Sequence, residues 1–162
     1  ALLESLVGLE ALEHVGGLQI CSNAKLENLE ALPNLSTIEG TLVLGNNDLI
    51  ENLRGLEGVQ QLGGLSVIGN GSLQTLASLG SFETLERSVK VRFNPVLEDL
   101  SALSSVERID GDLILWGNDA VTDLSGLESL RDLGGSFKLW GMNGLTEVVL
   151  PNRLERVGGD VS

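Results

Sequence analysis

A chain of 162 residues with 23 acidic against 10 basic side chains carries a formal charge of −13, which sets it against nucleic acid and anionic membrane as partners. A hydrophobic content of 42% excludes disorder by composition, while one histidine, one cysteine and no tyrosine leave few of the usual general bases and nucleophiles. No apolar run approaches the roughly 18 residues that cross a bilayer, so no direct membrane insertion is expected.

The first predicted element is a run of leucines, Leu3, Leu6, Leu9 and Leu12, at three-residue spacing. That spacing suits a 3₁₀-like or irregular segment that keeps one edge turned inward. Next come Val15, two glycines, and the alternation Leu18-Gln19-Ile20, which has the period of a short strand. The same phrase returns at Ile38, Leu62, Leu85, Ile109, Leu133 and Val157, in steps of 23, 24, 23, 24, 24 and 24 residues. Self-similarity at a fixed period of this size predicts a solenoid, in which no unit buries its own leucines and each needs neighbours on both sides.

Within each unit the order of parts is constant. Glycines before the strand (Gly16, Gly40, Gly63, Gly111, Gly134 and Gly158 among them) mark one corner. An asparagine after it, Asn23, Asn47, Asn70, Asn94 and Asn118, marks the other, three residues before the next inward aliphatic. An asparagine side chain satisfies backbone groups at such a bend, and stacked copies can bond to each other; Met142 interrupts the series in the sixth unit. Beyond the asparagine the three-residue spacing resumes, as in Val121, Leu124, Leu127, Leu130 and Leu133. The last phrase reaches Gly159-Asp160-Val161 inside the strand of a seventh coil.

VGGLQICSNAKL, IDGDLILWGNDAVTDL and LGGSFKLWGMNGL resemble the leucine-rich repeats of receptor L domains and their bacterial, fungal and protist relatives, over essentially the whole chain. The resemblance implies a β-solenoid: a right-handed coil of about seven 23–24-residue repeats, with one parallel β-sheet face and 3₁₀ or irregular segments on the others. With strands about 4.8 Å apart, such a rod is on the order of 30 Å long. A single repeat domain over 1–162 is expected, as a segment of a longer array or a longer protein. The resemblance further implies recognition or adhesion in an extracellular or cell-surface setting.

If Leu113 and Leu115 point inward, Asp112, Ile114 and Trp116 point outward, and the same offsets give two outward columns. One reads Gln19, Val43, Ser66, Lys90, Ile114, Lys138; the other reads Cys21, Gly45, Ile68, Arg92, Trp116, Trp140. Both tryptophans of the chain therefore fall on adjacent strands beside three basic residues, so Lys90, Arg92, Ile114, Trp116, Lys138 and Trp140 are the candidate binding residues. The competing reading is that the tryptophans stack on each other and on Arg92 merely to strengthen the sheet. The expected partner is a protein or a glycan.

Other features point to less. Glu27, Glu51 and Glu98 form one acidic column and Asp99, Asp123 and Glu147 another; a solvated edge is favoured over calcium, because the columns are interrupted and lack calcium-loop spacing. His14 and Cys21 show no third group that would orient a catalytic pair, so no enzyme, cofactor or metal is expected. Asn34-Leu-Ser and Asn70-Gly-Ser have the form of glycosylation acceptors, with Asn70 also claimed by the corner series. Neither end shows a polar cap, which leaves a second function open: assembly through the solenoid ends or a sheet edge, including neighbouring domains or subunits.

Overall fold

In the computed structural model, which describes residues 3–162, the chain forms a parallel β-solenoid of about six turns with almost no helix. Its strands are β1 (His14–Val15), β2 (Leu18–Cys21), β3 (Thr37–Gly45), β4 (Gln61–Ile68), β5 (Thr84–Leu85), β6 (Val89–Arg92), β7 (Arg108–Ile109), β8 (Leu113–Trp116), β9 (Asp132–Leu133), β10 (Phe137–Trp140) and β11 (Arg156–Val157). The main sheet has the order β1-β3-β4-β6-β8-β10, with β2 also paired to β3. The seventh phrase contributes β11 and one isolated bridge from Phe137 to Val161, so about six turns close where about seven are expected.

A second ladder, β11-β9-β7-β5, departs from the single sheet face expected. Its strands are two residues long, too short to display alternation in a sequence. In the second and third coils the two ladders merge, because β3 and β4 run unbroken through the glycine corner. The 23-residue step between Leu42 and Leu65 has its cause here. Glu39 and Gly40 on β3 oppose one residue fewer on β4, and the register shifts between Ile38 and Thr41. A bulge absorbs the missing residue and leaves the strand face in step.

The three-residue leucine spacing follows from local hydrogen bonding. The Leu32 N–H donates to the Leu29 carbonyl at 3.0 Å and the Leu35 N–H to that of Leu32 at 3.1 Å; the pair of bonds recurs at Leu56 and Val59, Leu103 and Val106, and Leu127 and Leu130, and one of the two at Leu79. Among the described residues, Ser101–Leu103 and Ser125–Leu127 complete a regular 3₁₀ turn. This winding points each third side chain inward, and Leu26, Leu29, Leu32, Leu35 and Ile38 are all fully buried in one contiguous core. Each leucine so buried contributes about 1.5–3 kcal/mol against an exposed one.

The asparagine corner is a ladder in fact. The backbone N–H groups of Asn23, Asn47, Asn70 and Asn94 donate to the side-chain oxygens of Asn47, Asn70, Asn94 and Asn118, at 3.0–3.1 Å. Each interior side-chain nitrogen reaches back to a strand carbonyl one coil earlier: Asn47 to Ile20, Asn70 to Leu44, Asn94 to Val67, Asn118 to Val91. Asn47, Asn70, Asn94 and Asn118 are fully buried, so Asn70 is closed to a glycan in the folded chain, whereas Asn34 lies exposed with its amide donated to the Glu10 carbonyl.

Asp99 and Asp123 have a turn-forming task. Their carboxylates accept the N–H of Ser101 at 2.8 Å and of Ser125 at 2.9 Å, as Asn28, Asn52 and Thr75 accept the N–H two residues on in earlier coils. The side-chain and backbone hydrogen bonds from Ser125 hold the Asp123 carboxyl below the usual aspartate range. Because folding lowers this pKa, its contribution is full above the unfolded-state value and is lost as pH falls through the folded one. Asp123→Asn keeps the acceptor and removes the titration. Its melting temperature should fall less than the parent's between about pH 5 and about pH 2; equal losses would show that this cap carries no acid sensitivity.

Candidate functional site

Parallel pairing without a break puts the outward columns in line. Lys90 stands opposite Ile114 and Ile114 opposite Lys138, while Arg92 stands opposite Trp116 and Trp116 opposite Trp140. All six candidate residues thus lie on β6, β8 and β10. Trp116 and Trp140 are 38% and 43% exposed, with ring centroids 5.7 Å apart and planes at 83°. This is edge-to-face geometry, which an aromatic pair prefers over a stacked sandwich.

The structure redistributes the cations. Lys138 places its ammonium 5.9 Å from the Trp140 centroid, and among the described residues it is the cation over a ring, rather than Arg92. The Arg92 Nε is buried without a hydrogen-bond partner. Elsewhere Lys25, Arg108, Arg131 and Arg156 pair with carboxylates, yet among the described residues none pairs with Lys90, Arg92 or Lys138. Lys90, Arg92 and Lys138 thus stand outside the ion pairs of the described residues, although Glu86 and Asp110 line a groove with Lys90.

A third ring, outside the sequence-derived set, completes the patch. Phe93 follows Arg92, is 45% exposed, and sets its ring 4.7 Å from that of Trp116. Its φ is +57°, in the left-handed region that bulky side chains avoid. The equivalent residues in the other coils are Ser22, Asn46, Gly69, Gly117 and Gly141, all with positive φ. The bend after each strand imposes that conformation: the N–H of the residue there donates to the neighbouring coil, as Phe93 does to the Trp116 carbonyl at 2.7 Å. A Cβ on Gly117 would stand 2.9 Å from the Phe93 ring, so the glycine in the next coil makes room for it. Holding Phe93 there costs about 1–2 kcal/mol of strain, set against an aromatic contact of about 1 kcal/mol and the burial of part of its ring. One signal for it stood in the sequence, a large aromatic in a column of serine, asparagine and glycine.

Beside the rings a shallow groove of about 480 Å³ crosses the same face, lined by Gln19, Val43 and Lys90, by the hydroxyls of Thr41, Ser66 and Ser88, and by the charged side chains of Glu86, Arg87 and Asp110. His14 approaches Ser36 and Glu13, and the exposed Cys21 stands opposite Gly45 in the β2–β3 pairing. Compared with models of known families, with curated proteins and with solved structures, the chain matches none.

Proposed function

We propose that this chain is a non-catalytic binding module that recognises a protein or glycan through the outward face of its sheet, in a cell-surface setting. Its repeats are read as the leucine-rich type of receptor L domains, coiled right-handed. The glycine corner, the asparagine ladder and the inward leucines at three-residue spacing support that assignment. The observation that carries the function is the patch itself: three exposed aromatic rings in contact, flanked by cations without carboxylate partners, on a flat face. Tryptophan and arginine dominate the energetics of recognition surfaces, and soluble chains rarely keep such rings exposed together.

Trp116 and Trp140 are the only tryptophans in the chain, so indole emission reports occupancy of this patch alone. In a screen of extracellular glycans and proteins, a true partner shifts that emission. Its affinity, read by calorimetry, should fall about 30-fold in the double variant Trp116→Ala/Trp140→Ala, while the melting temperature drops by only about 6 °C for the two lost aromatic contacts. A partner bound with undiminished affinity by the double variant would move the site off the sheet face.

A second reading, assembly, draws on the exposed apolar run Val148, Val149 and Leu150. It requires light scattering that grows with concentration, and a chain that stays monomeric decides against it.

A further inference from the structure

We infer that the occupant of the sheet face is a linear anionic polysaccharide with one acidic group per disaccharide, lying along the rod axis across β6, β8 and β10, with Phe93 as a contact residue. The inference rests on the sheet-face reading above and specifies its ligand.

The geometry is that of an array. Phe93, Trp116 and Trp140 occupy three consecutive coils with centroid spacings of 4.7 and 5.7 Å, close to the strand repeat of about 4.8 Å. A ligand running along the rod therefore meets an aromatic ring at each step. Charge follows a different rhythm. Lys90 and Lys138 stand two strands apart, about 10 Å along the sheet, with the apolar Ile114 between them. Across β6, β8 and β10 the surface thus offers ring contact at each coil and lysine charge at the first and third, with Arg92 beside Lys90 on β6. A folded protein partner presents no such regular alternation, whereas a sugar polymer with one uronic acid per disaccharide does: the C–H faces of its rings lie against the aromatic side chains, and alternate carboxylates meet Lys90 and Lys138.

Two further observations bear on the track. The groove beside Lys90 offers the hydroxyls of Thr41, Ser66 and Ser88, but Glu86 and Asp110 share its lining, so the anionic track is confined to β6, β8 and β10. Phe93 is kept at positive φ in a column where glycine, asparagine and serine otherwise stand, and strain held at one exposed aromatic is expected where the ring meets a ligand. The net charge of −13 opposes any polyanion at long range; at physiological ionic strength that repulsion is largely screened beyond about 8 Å, and Lys90, Arg92 and Lys138 have no carboxylate ion-pair partner among the described residues.

The test titrates the intact chain with hyaluronan oligosaccharides, which carry one carboxylate per disaccharide, in parallel with neutral dextran and poly-glutamate. Tryptophan emission and calorimetry provide the readouts. Hyaluronan should bind and shift the emission, and its affinity should fall about tenfold in Phe93→Asn and again in Lys90→Gln/Lys138→Gln. Phe93→Asn should melt with the parent, since asparagine occupies this conformation at Asn46. Dextran bound as well as hyaluronan would overturn the charge argument, tighter poly-glutamate would make the partner an acidic peptide, and absence of hyaluronan binding would sink the inference outright. None of these three outcomes touches the broader reading, which stands or falls on Trp116→Ala/Trp140→Ala with whichever partner binds.

Discussion

Asn94→Ala should lower stability by about 4 kcal/mol, a loss as large as any expected from a single polar side chain in this fold. The Asn94 side-chain oxygen accepts the backbone N–H of Asn70 at 3.1 Å and its side-chain nitrogen at 3.2 Å, while its own nitrogen donates to the carbonyls of Val67 and Arg92. Truncation strands the backbone N–H and one side-chain N–H of Asn70, and each unsatisfied buried group costs about 1–3 kcal/mol. For a chain of this length the melting temperature should drop by roughly 12 °C. Asn23→Ala is the control. Its amide donates to the Cys21 carbonyl in an exposed setting and, at a long 3.4 Å, to the Asn47 side-chain oxygen, and its loss should cost about 1 kcal/mol or less. Equal effects at both positions would mean that the ladder is incidental and that the coils are held by leucine packing alone.

Gly55→Ala should cost about as much for a wholly steric reason. Gly55 has φ of +102°, and a Cβ built there falls onto the Leu29 carbonyl and within 2.8 Å of the Glu30 Cα in the coil beneath. The left-handed conformation contributes about 1–2 kcal/mol and the overlap about 1–3 kcal/mol more. Two other glycines separate these terms. Gly8 has φ of +103° with nothing within 4 Å, so Gly8→Ala isolates strain, and Gly16, with ordinary φ and equally open space, should tolerate alanine within about 0.5 kcal/mol. Urea titration of the three variants should rank them Gly55, Gly8, Gly16 in decreasing loss. If Gly8→Ala and Gly55→Ala prove equal, contact between coils is looser than the structure shows.

Much of this architecture was legible because a solenoid repeats each decision. The anchors Val15 to Val157 declared the period, and the alternation around Leu113 and Leu115 told which side chains face out, so the register of Arg92, Trp116 and Trp140 could be read before any fold was known. The asparagine corner was visible for the same reason, though its reach to a carbonyl 27 residues earlier was not, since a side chain's long-range acceptor leaves no spacing behind. Phe93 escaped because the outward columns end with the strand, and a left-handed residue just past it belongs to no period of two or three. Asp99 and Asp123 looked like surplus charge because aspartate, asparagine and threonine share the task of capping a turn while differing in charge. The second ladder hid in strands of two residues, where pairing is decided by the neighbouring coil rather than by local pattern.

The asparagine ladder also gives the rod an electrical direction. In every rung the backbone N–H of one coil points to the side-chain oxygen of the next, from Asn23 through to Asn118. Strand dipoles largely cancel within a sheet, but these amide dipoles add head to tail through a buried, low-dielectric corridor, each polarising the next. The series ends where the Asn118 amide meets the Met142 sulfur at 3.7 Å, a weak acceptor that terminates the current of polarisation. The two ends of the ladder are thus unlike, Asn23 giving its N–H to Asn47 and Asn118 meeting only a sulfur beyond it, and the strength of any one rung depends on how many intact rungs lie on either side.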